Sequence, residues 1–254
     1  MIPPQISIGP LTFHFYGAII SLSIFLGWLL AQKRAGLYKI PKRLFEDPIL
    51  IIPLILAIIG ARIYHVVDYW DYYKNNLDQV FVIWNGGLGI FGALIGAFLG
   101  FWIIAKFKKI DIWKILDLVA PSLLLGQAVG RIANYINQEG FGPPTNKPWG
   151  IFISPEHRPV EFLNFSQFHP TFFYEAIIDS IFLIILLFLS KKLKIKGQTF
   201  TLYLIFYSIG RFIVEFWRID TATIGTIKVA QILSVIIFII GLLVFTKLKA
   251  RKNI

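Results

Sequence analysis

The sequence LGIFGALIGAFLGFWIIA, residues 88–105, contains no charged residue and is close to the length that a membrane-spanning helix requires. A helix needs about 20 mostly apolar residues to cross a bilayer core of about 30 Å. Six further stretches are also mostly apolar and of similar length, although Asp117 and Pro121 interrupt one and Arg211 and Glu215 lie in another: residues 12–31, 48–67, 112–129, 172–190, 199–217 and 228–246. The sequence therefore predicts an all-α integral membrane protein with seven transmembrane helices, in a single polytopic domain over residues 1–254.

The composition agrees with this fold class. Hydrophobic residues make up 56% of the 254 residues and charged residues only 15%, whereas a soluble domain holds about 25% charged residues. An ordinary soluble enzyme and a disordered chain are both excluded. The sequence has no cysteine, which excludes disulfides, thiolate metal sites and a cysteine nucleophile supplied by the protein itself.

The basic residues predict the orientation in the membrane, because Lys and Arg concentrate in cytoplasmic loops. The net charge is +11, and most of the 25 basic residues lie after the first, third, fifth and seventh spans. We therefore expect the N-terminus outside, the C-terminus in the cytoplasm and residues 131–170 in an extracytoplasmic loop region. No basic residue precedes the first span, which predicts a retained helix instead of a cleaved signal peptide. Positive charge placed against a membrane makes nucleic acid a poor candidate partner.

Glycine recurs every fourth residue in the third span, at Gly92, Gly96 and Gly100. Small residues at this spacing let a neighbouring helix approach closely. The pattern predicts tight helix packing.

Ionisable residues inside a span predict functional sites, because each costs at least about 2.5 to 3.5 kcal/mol at the helix centre. Arg62, Arg211 and Glu215 meet this criterion. Tyr207, Arg211 and Glu215 are four residues apart and form one helix stripe. Two interpretations stay open: an Arg211–Glu215 pair that only neutralises two buried charges, or an Arg211 that binds an anion while Glu215 orients it.

The densest polar run is GRIANYINQEGFG, residues 130–142, at the outer end of the fourth span. Arg131, Asn134 and Asn137 are spaced three apart and share a face if the helix continues. Two further polar groups enter spans from the same side: His14 with Tyr16, and His169–Pro170 with Tyr174–Glu175. Their convergence on the outer leaflet suggests a site that handles lipid.

Residues 130–142 resemble the signature of the prolipoprotein diacylglyceryl transferase family. Further motifs follow the family's order: His14–Gly17, Gly60–Arg62, Trp84–Gly87, His169–Pro170 with Tyr174–Glu175, and Tyr207–Arg218. The resemblance covers most of the chain. It implies a multi-pass enzyme of the bacterial inner membrane whose active site faces the outer leaflet, and it implies no metal or organic cofactor.

The resemblance also implies a reaction and its partners. Phosphatidylglycerol donates its diacylglyceryl group, the lipobox cysteine of a prolipoprotein attacks the glycerol carbon that bears the phosphate ester, and glycerol phosphate leaves. The residues that match the family's functional set are Tyr16, Arg131, Asn134, Asn137, Glu139, Gly142, Tyr207, Arg211 and Glu215. Arg131 and Arg211 would stabilise the developing phosphate charge, with Glu215 as a third member of the catalytic group. The predicted substrate-binding set also includes His14 and Arg62.

One departure from the family concerns proton transfer. The family pattern places a histidine before the glycine at position 92, but this chain has Phe91, which cannot transfer a proton. The second span carries His65 instead, and we hypothesise that His65 supplies the missing imidazole, with His14 and Glu139 as other candidates. The alternative is that Arg131 and Arg211 lower the thiol pKa enough without a base.

Three other functions remain as alternatives. A weakly active or inactive homologue would be explained by Phe91. A transporter would also place Arg and Glu in its spans, but no inverted repeat is apparent and the polar residues collect at one interface. A structural scaffold would leave the cost of Arg62, Arg211 and Glu215 unexplained.

Overall fold

The computed structural model describes residues 5–9 and 11–250, which are mostly helical. Each predicted span contains one long helix, and a single four-residue helix lies between the second and third. The helices are α1 (Phe15–Arg34), α2 (Ile51–Asp68), the short α3 (Trp70–Tyr73), α4 (Ile90–Phe107), α5 (Ile112–Asn137), α6 (Thr171–Ser190), α7 (Gln198–Glu215) and α8 (Val229–Ala250).

Within the described residues, six helices are long and apolar enough to cross a membrane. The exception among the long helices is α7, whose 18 residues include polar side chains at both ends. Its buried polar residues are Gln198, Thr199, Thr201, Ser208 and Glu215. The fold is that of a helical membrane protein.

Three short antiparallel hairpins accompany the helices. They pair β1 (Gln5–Ile8) with β2 (Leu11–His14), β3 (Ile151–Phe152) with β4 (Gln167–Phe168), and β5 (Thr223–Ile224) with β6 (Ile227–Lys228). The first hairpin shifts a predicted boundary: the first span was expected from Thr12, but α1 begins at Phe15 because residues 11–14 pair with residues 5–8.

Helix α5 is longer than the hydropathy of its residues predicts. The apolar run ends near Val129, but the helix continues to Asn137, because backbone hydrogen bonding does not require apolar side chains. It stops at Gln138, whose φ of 53° lies in the left-handed region. The continuation confirms that Arg131, Asn134 and Asn137 are helical and therefore share a face.

The described residues divide into two compact units, one that joins the residues up to 34 with those from 116 onward, and one of residues 35–115. In the second unit, α2 packs directly against α4. A Cβ atom added to Gly92 would lie 2.0 Å from the Gly60 carbonyl oxygen, and one added to Gly96 would lie 1.9 Å from that of Leu56. Helix backbones that approach so closely tolerate only glycine, which confirms the packing role predicted for this stripe.

In the first unit, side chains bridge the ends of neighbouring helices. Asp117 of α5 accepts hydrogen bonds from the backbone N–H groups of Gly197 (2.6 Å) and Phe200 (2.8 Å), where α7 begins. These N–H groups have no partner inside their own helix. Asp117, which interrupts the fourth apolar stretch, therefore accepts hydrogen bonds from the unpaired N–H groups at the start of α7.

The segment between α5 and α6 folds around its own small core. Phe141, Ile153, Phe168 and Phe172 are buried together, and β3 and β4 form its hairpin. This core holds the end of the polar run of residues 130–142 next to the start of α6.

Candidate functional site

Three arginines converge on the carboxylate of Glu175 in the second turn of α6. The distance from Arg131 Nη2 to Glu175 Oε1 is 2.5 Å, and the Nη1 atoms of Arg211 and Arg218 lie 3.5 and 3.8 Å from Oε2. Glu175 is only 3% exposed. We call Arg131, Glu175, Arg211 and Arg218 the arginine cluster.

The cluster forms where three helix ends meet. Arg131 lies in the last two turns of α5, Arg211 one turn before the last residue of α7, and Arg218 three residues beyond that helix. The side chains of Arg131, Arg211 and Arg218 keep 23%, 17% and 14% of their surface exposed, so a ligand has access to them. A buried charge that loses its partner is costly, which makes Glu175 the group that holds the three guanidiniums together.

Further carboxylates complete the charge balance. Arg211 Nη2 lies 2.8 Å from Glu215 Oε2, and Arg218 makes two hydrogen bonds to Asp220, of 3.1 and 2.9 Å. Glu215 is fully buried, and Arg211 is its ion-pair partner. The predicted Arg211–Glu215 contact is present, and it agrees with both open interpretations.

The signature face of α5 carries a short hydrogen-bonded chain. Arg131 Nη1 donates to Asn134 Oδ1 (3.1 Å), and Asn134 Nδ2 donates to Glu139 Oε1 (3.0 Å). Tyr16, at the start of α1, lies within electrostatic range of Glu139 and Arg131. The structure thus brings together four of the predicted site residues, and Asn137 lies half-buried at the end of the same helix.

Gly142 holds the loop after α5 against the end of α7. A Cβ atom at Gly142 would lie 2.5 Å from the Trp217 carbonyl oxygen and 2.8 Å from Thr171 Cγ2. Its N–H donates to the His169 carbonyl oxygen at 2.8 Å. The contacts of Gly142 are those of close packing.

Tyr207 lies one turn before Arg211 and packs inward. Its ring is stacked near that of Tyr203, with 6.2 Å between centroids, beside the buried cluster that includes Leu124 and Leu186. Its position on the Arg211 side of α7 agrees with the predicted stripe. His14, the last residue of β2, is exposed.

An aromatic network lies beside the cluster. Trp149 Nε1 donates to the Tyr174 hydroxyl at 2.8 Å, and that hydroxyl lies 2.8 Å from Nδ1 of His169. An indole only donates, so Tyr174 accepts from Trp149 and can direct its own proton to Nδ1. Burial, and then the charge of Lys147, lower the pKa of His169, which agrees with a neutral ring that accepts at Nδ1.

The unit of residues 35–115 contains the remaining predicted residues. Arg62 donates hydrogen bonds to the carbonyl oxygens of Gln79, Val80, Gly86 and Gly87, and its guanidinium lies 5.2 Å from the centre of the Tyr73 ring. A guanidinium has five N–H donors, and these bonds use most of them. The contacts of Arg62 are those of a residue that holds the loop before α4.

The rings of His65 and Phe91 pack against different aromatic residues. The Phe91 ring pairs with Tyr64 at 5.7 Å, whereas His65 packs against Tyr69 at 4.6 Å and against Tyr73. A Cβ atom at Gly87 would lie 2.6 Å from His65 Nε2. The imidazole therefore lies beside the loop that Arg62 holds, and its role as a base stays a prediction.

Glu175 and Arg218 belong to motifs that the sequence displays, but no role was predicted for them. A signal for Glu175 was available, because it is an ionisable residue inside the predicted span 172–190, as is the buried Asp179. Arg218 follows the predicted span and carries no such signal. Among the described residues, no group of three His, Asp or Glu side chains is arranged to hold a metal ion.

Comparison with known proteins identifies one family. The model of the prolipoprotein diacylglyceryl transferase family matches residues 3–247. The chain is 41% identical over 255 residues to phosphatidylglycerol–prolipoprotein diacylglyceryl transferase of Acaryochloris marina (strain MBIC 11017), covering 99% of this chain and 92% of that protein. It is 39% identical over 254 residues to the protein of the same name in Listeria innocua serovar 6a, covering 97% of this chain and 90% of that protein.

Proposed function

The chain belongs to the prolipoprotein diacylglyceryl transferase family, and from this we propose that it transfers the diacylglyceryl group of phosphatidylglycerol to the lipobox cysteine of a prolipoprotein. The arginine cluster is the structural observation that supports this chemistry. A phosphate-bearing lipid headgroup is the ligand that exposed guanidinium N–H groups at an outer membrane face would recognise.

The reaction forms one bond and breaks one. The cysteine sulfur attacks the glycerol carbon that bears the phosphate ester, the carbon–oxygen bond breaks, and its electron pair leaves with glycerol phosphate. The thiol proton passes to a base or to the departing phosphate. Negative charge grows on the phosphate during this step, so a guanidinium fixed beside it stabilises the transition state more than the ground state.

The cluster supplies such fixed guanidiniums. Glu175 accepts hydrogen bonds from Arg131 and Arg211, Asn134 accepts one from Arg131, and Glu215 forms an ion pair with Arg211. Each guanidinium has five N–H donors, so further donors remain for phosphate oxygens. We assign charge stabilisation to Arg131 and Arg211, orientation of Arg211 to Glu215, and headgroup binding to Tyr16, Asn134, Asn137, Glu139 and Tyr207, with His14 at the entrance. Glu175 orients the arginines.

The direct test of this function uses membranes that contain the protein, phosphatidylglycerol labelled in its diacylglyceryl part, and a lipobox peptide. We expect label on the peptide and none on a control peptide whose cysteine is replaced by serine. Transfer close to the level of empty membranes would show an inactive homologue, and uptake of substrate without transfer would favour the transporter.

The proposed topology has seven spans, with α7 as the sixth, and places the arginine cluster at the outer leaflet of the bacterial inner membrane. Helix α7 carries its polar residues where neighbouring helices bury them, so a lower overall hydropathy is compatible with crossing. The basic segment that contains Lys191 and Lys194 would then be cytoplasmic, and the β5–β6 hairpin external.

The absence of native cysteine makes this topology directly testable. We expect the exposed Thr223→Cys and Lys147→Cys positions to react with a membrane-impermeant maleimide in intact spheroplasts, and Lys194→Cys to react only after permeabilisation. The unsubstituted protein is the background control. Equal labelling of Thr223→Cys and Lys194→Cys in intact spheroplasts would contradict α7 as a span.

His65 is the proposed acceptor of the thiol proton, since this chain has Phe91 at the position where the family pattern has a histidine. We expect His65→Asn to lower turnover by roughly 100-fold, within the usual range for loss of a general base, and to shift the rate profile to higher pH. His157→Asn, on the outer loop, is the matched control. Undiminished turnover in His65→Asn would leave the positive field of Arg131 and Arg211 as the means of activating the thiol.

A further inference from the structure

Lys228 is the last residue of β6, and its ammonium reaches back to the end of α7. Its Nζ donates to the carbonyl oxygen of Glu215 at 2.6 Å and to that of Arg218 at 2.5 Å. No role for Lys228 follows from the sequence, where it is one basic residue among those of the outer face.

The β5–β6 hairpin brings Lys228 to this position. Thr223 pairs with Lys228, Gly225 turns the chain with a φ of +62°, and the Val229 N–H donates to the Ala222 carbonyl oxygen at 2.9 Å. The hairpin therefore folds the residue that precedes α8 back onto the turn that follows α7.

The last carbonyl groups of a helix have no partner within it, and a cation at this end also complements the helix dipole. The Glu215 carbonyl oxygen accepts from the Arg218 N–H at 3.2 Å as well as from Lys228. One ammonium thus joins the first and last residues of the turn 215–218.

That turn carries two side chains of the functional site. Glu215 pairs with Arg211, and Arg218 points to Glu175 and Asp220. The Trp217 carbonyl oxygen of the same turn lies against Gly142. A change in its backbone would move the arginine cluster and the signature loop together.

We propose that Lys228 is a positioning residue that fixes the turn 215–218, and with it Arg211 and Arg218, for binding of the phosphatidylglycerol headgroup. This inference rests on the proposed function. The ammonium donates to backbone carbonyl oxygens of the turn, so its effect passes through the backbone of that turn. The charged donor is needed, because an apolar side chain of equal length cannot bond to two carbonyl groups.

The test compares Lys228→Met, which keeps the length of the stem, with Lys228→Arg, which keeps charge and donors. Lys74→Met is the matched control, since Lys74 is an exposed outer-loop lysine that pairs with Asp71 three residues earlier. We expect Lys228→Met to lower kcat/KM for phosphatidylglycerol about tenfold, the size expected for loss of a charge-assisted hydrogen bond, with an unchanged KM for the lipobox peptide. Lys228→Arg should recover most of this loss.

Wild-type kinetics in Lys228→Met would overturn the inference. So would an equal loss of kcat/KM for phosphatidylglycerol and for the lipobox peptide, if Lys228→Arg does not restore it. A wild-type protein that binds fluorescent phosphatidylglycerol but transfers nothing would refute the proposed function instead. In that case weaker binding to Lys228→Met alone supports the positioning role, and equal binding to both proteins overturns it.

Discussion

Replacement of Glu175 by glutamine is expected to reduce diacylglyceryl transfer by roughly 100-fold to 1,000-fold. The substitution keeps size and shape, so packing in the second turn of α6 is preserved. It removes the negative charge that Arg131, Arg211 and Arg218 share. Three guanidiniums without this charge repel each other and leave the arrangement that the phosphate requires, and loss of preorganised charge stabilisation has effects of this size.

Two variants make the Glu175 experiment specific. Glu161→Gln, in the segment between α5 and α6, is the matched control and should transfer at the wild-type rate. Glu175→Asp keeps the charge but withdraws it by one methylene, and it should lie between Glu175→Gln and the wild type. Transfer by Glu175→Gln at the wild-type rate, with an unchanged thermal unfolding midpoint, would show that the arginines do not depend on this carboxylate.

The fold was largely predictable because the hydropathy of a segment indicates whether it lies in lipid or in water. Every apolar stretch became a helix, and the glycine spacing at Gly92 and Gly96 correctly predicted close packing. The boundaries were less predictable where another force decides them. At the start of α1, strand pairing replaces helix, and at the end of α5 the helix continues through polar residues.

The candidate site was predictable only in part, because its central contacts join distant segments. Spacing showed that Arg131 and Asn134 share a face, and the structure adds the hydrogen bond between them. Convergence of Arg131, Arg211 and Arg218 on Glu175 depends on the packing of three helix ends, which no local pattern encodes. The same reason applies to Arg62, since carbonyl groups that are distant in sequence accept from it.

A double substitution of Arg211 and Glu215 best distinguishes the two interpretations of this pair, phosphate binding and simple charge neutralisation. If their pair only neutralises two buried charges, replacing both with apolar residues of similar size removes the need for either, and such replacements are often neutral or stabilising. We expect the double variant Arg211→Met with Glu215→Met to keep a thermal unfolding midpoint near that of the wild type but to lose roughly 1,000-fold in transfer. The loss follows because a fixed guanidinium beside the phosphate is gone.

The single variants complete the cycle for this pair. Arg211→Met alone leaves Glu215 fully buried without its ion-pair partner, so it should lose both activity and stability. Arg211→Lys keeps the charge but not the fork of parallel donors, and it should recover stability more than transfer. Recovery of wild-type transfer in the double variant would establish the pair as a structural neutraliser. Stability without activity assigns the guanidinium of Arg211 to the phosphate.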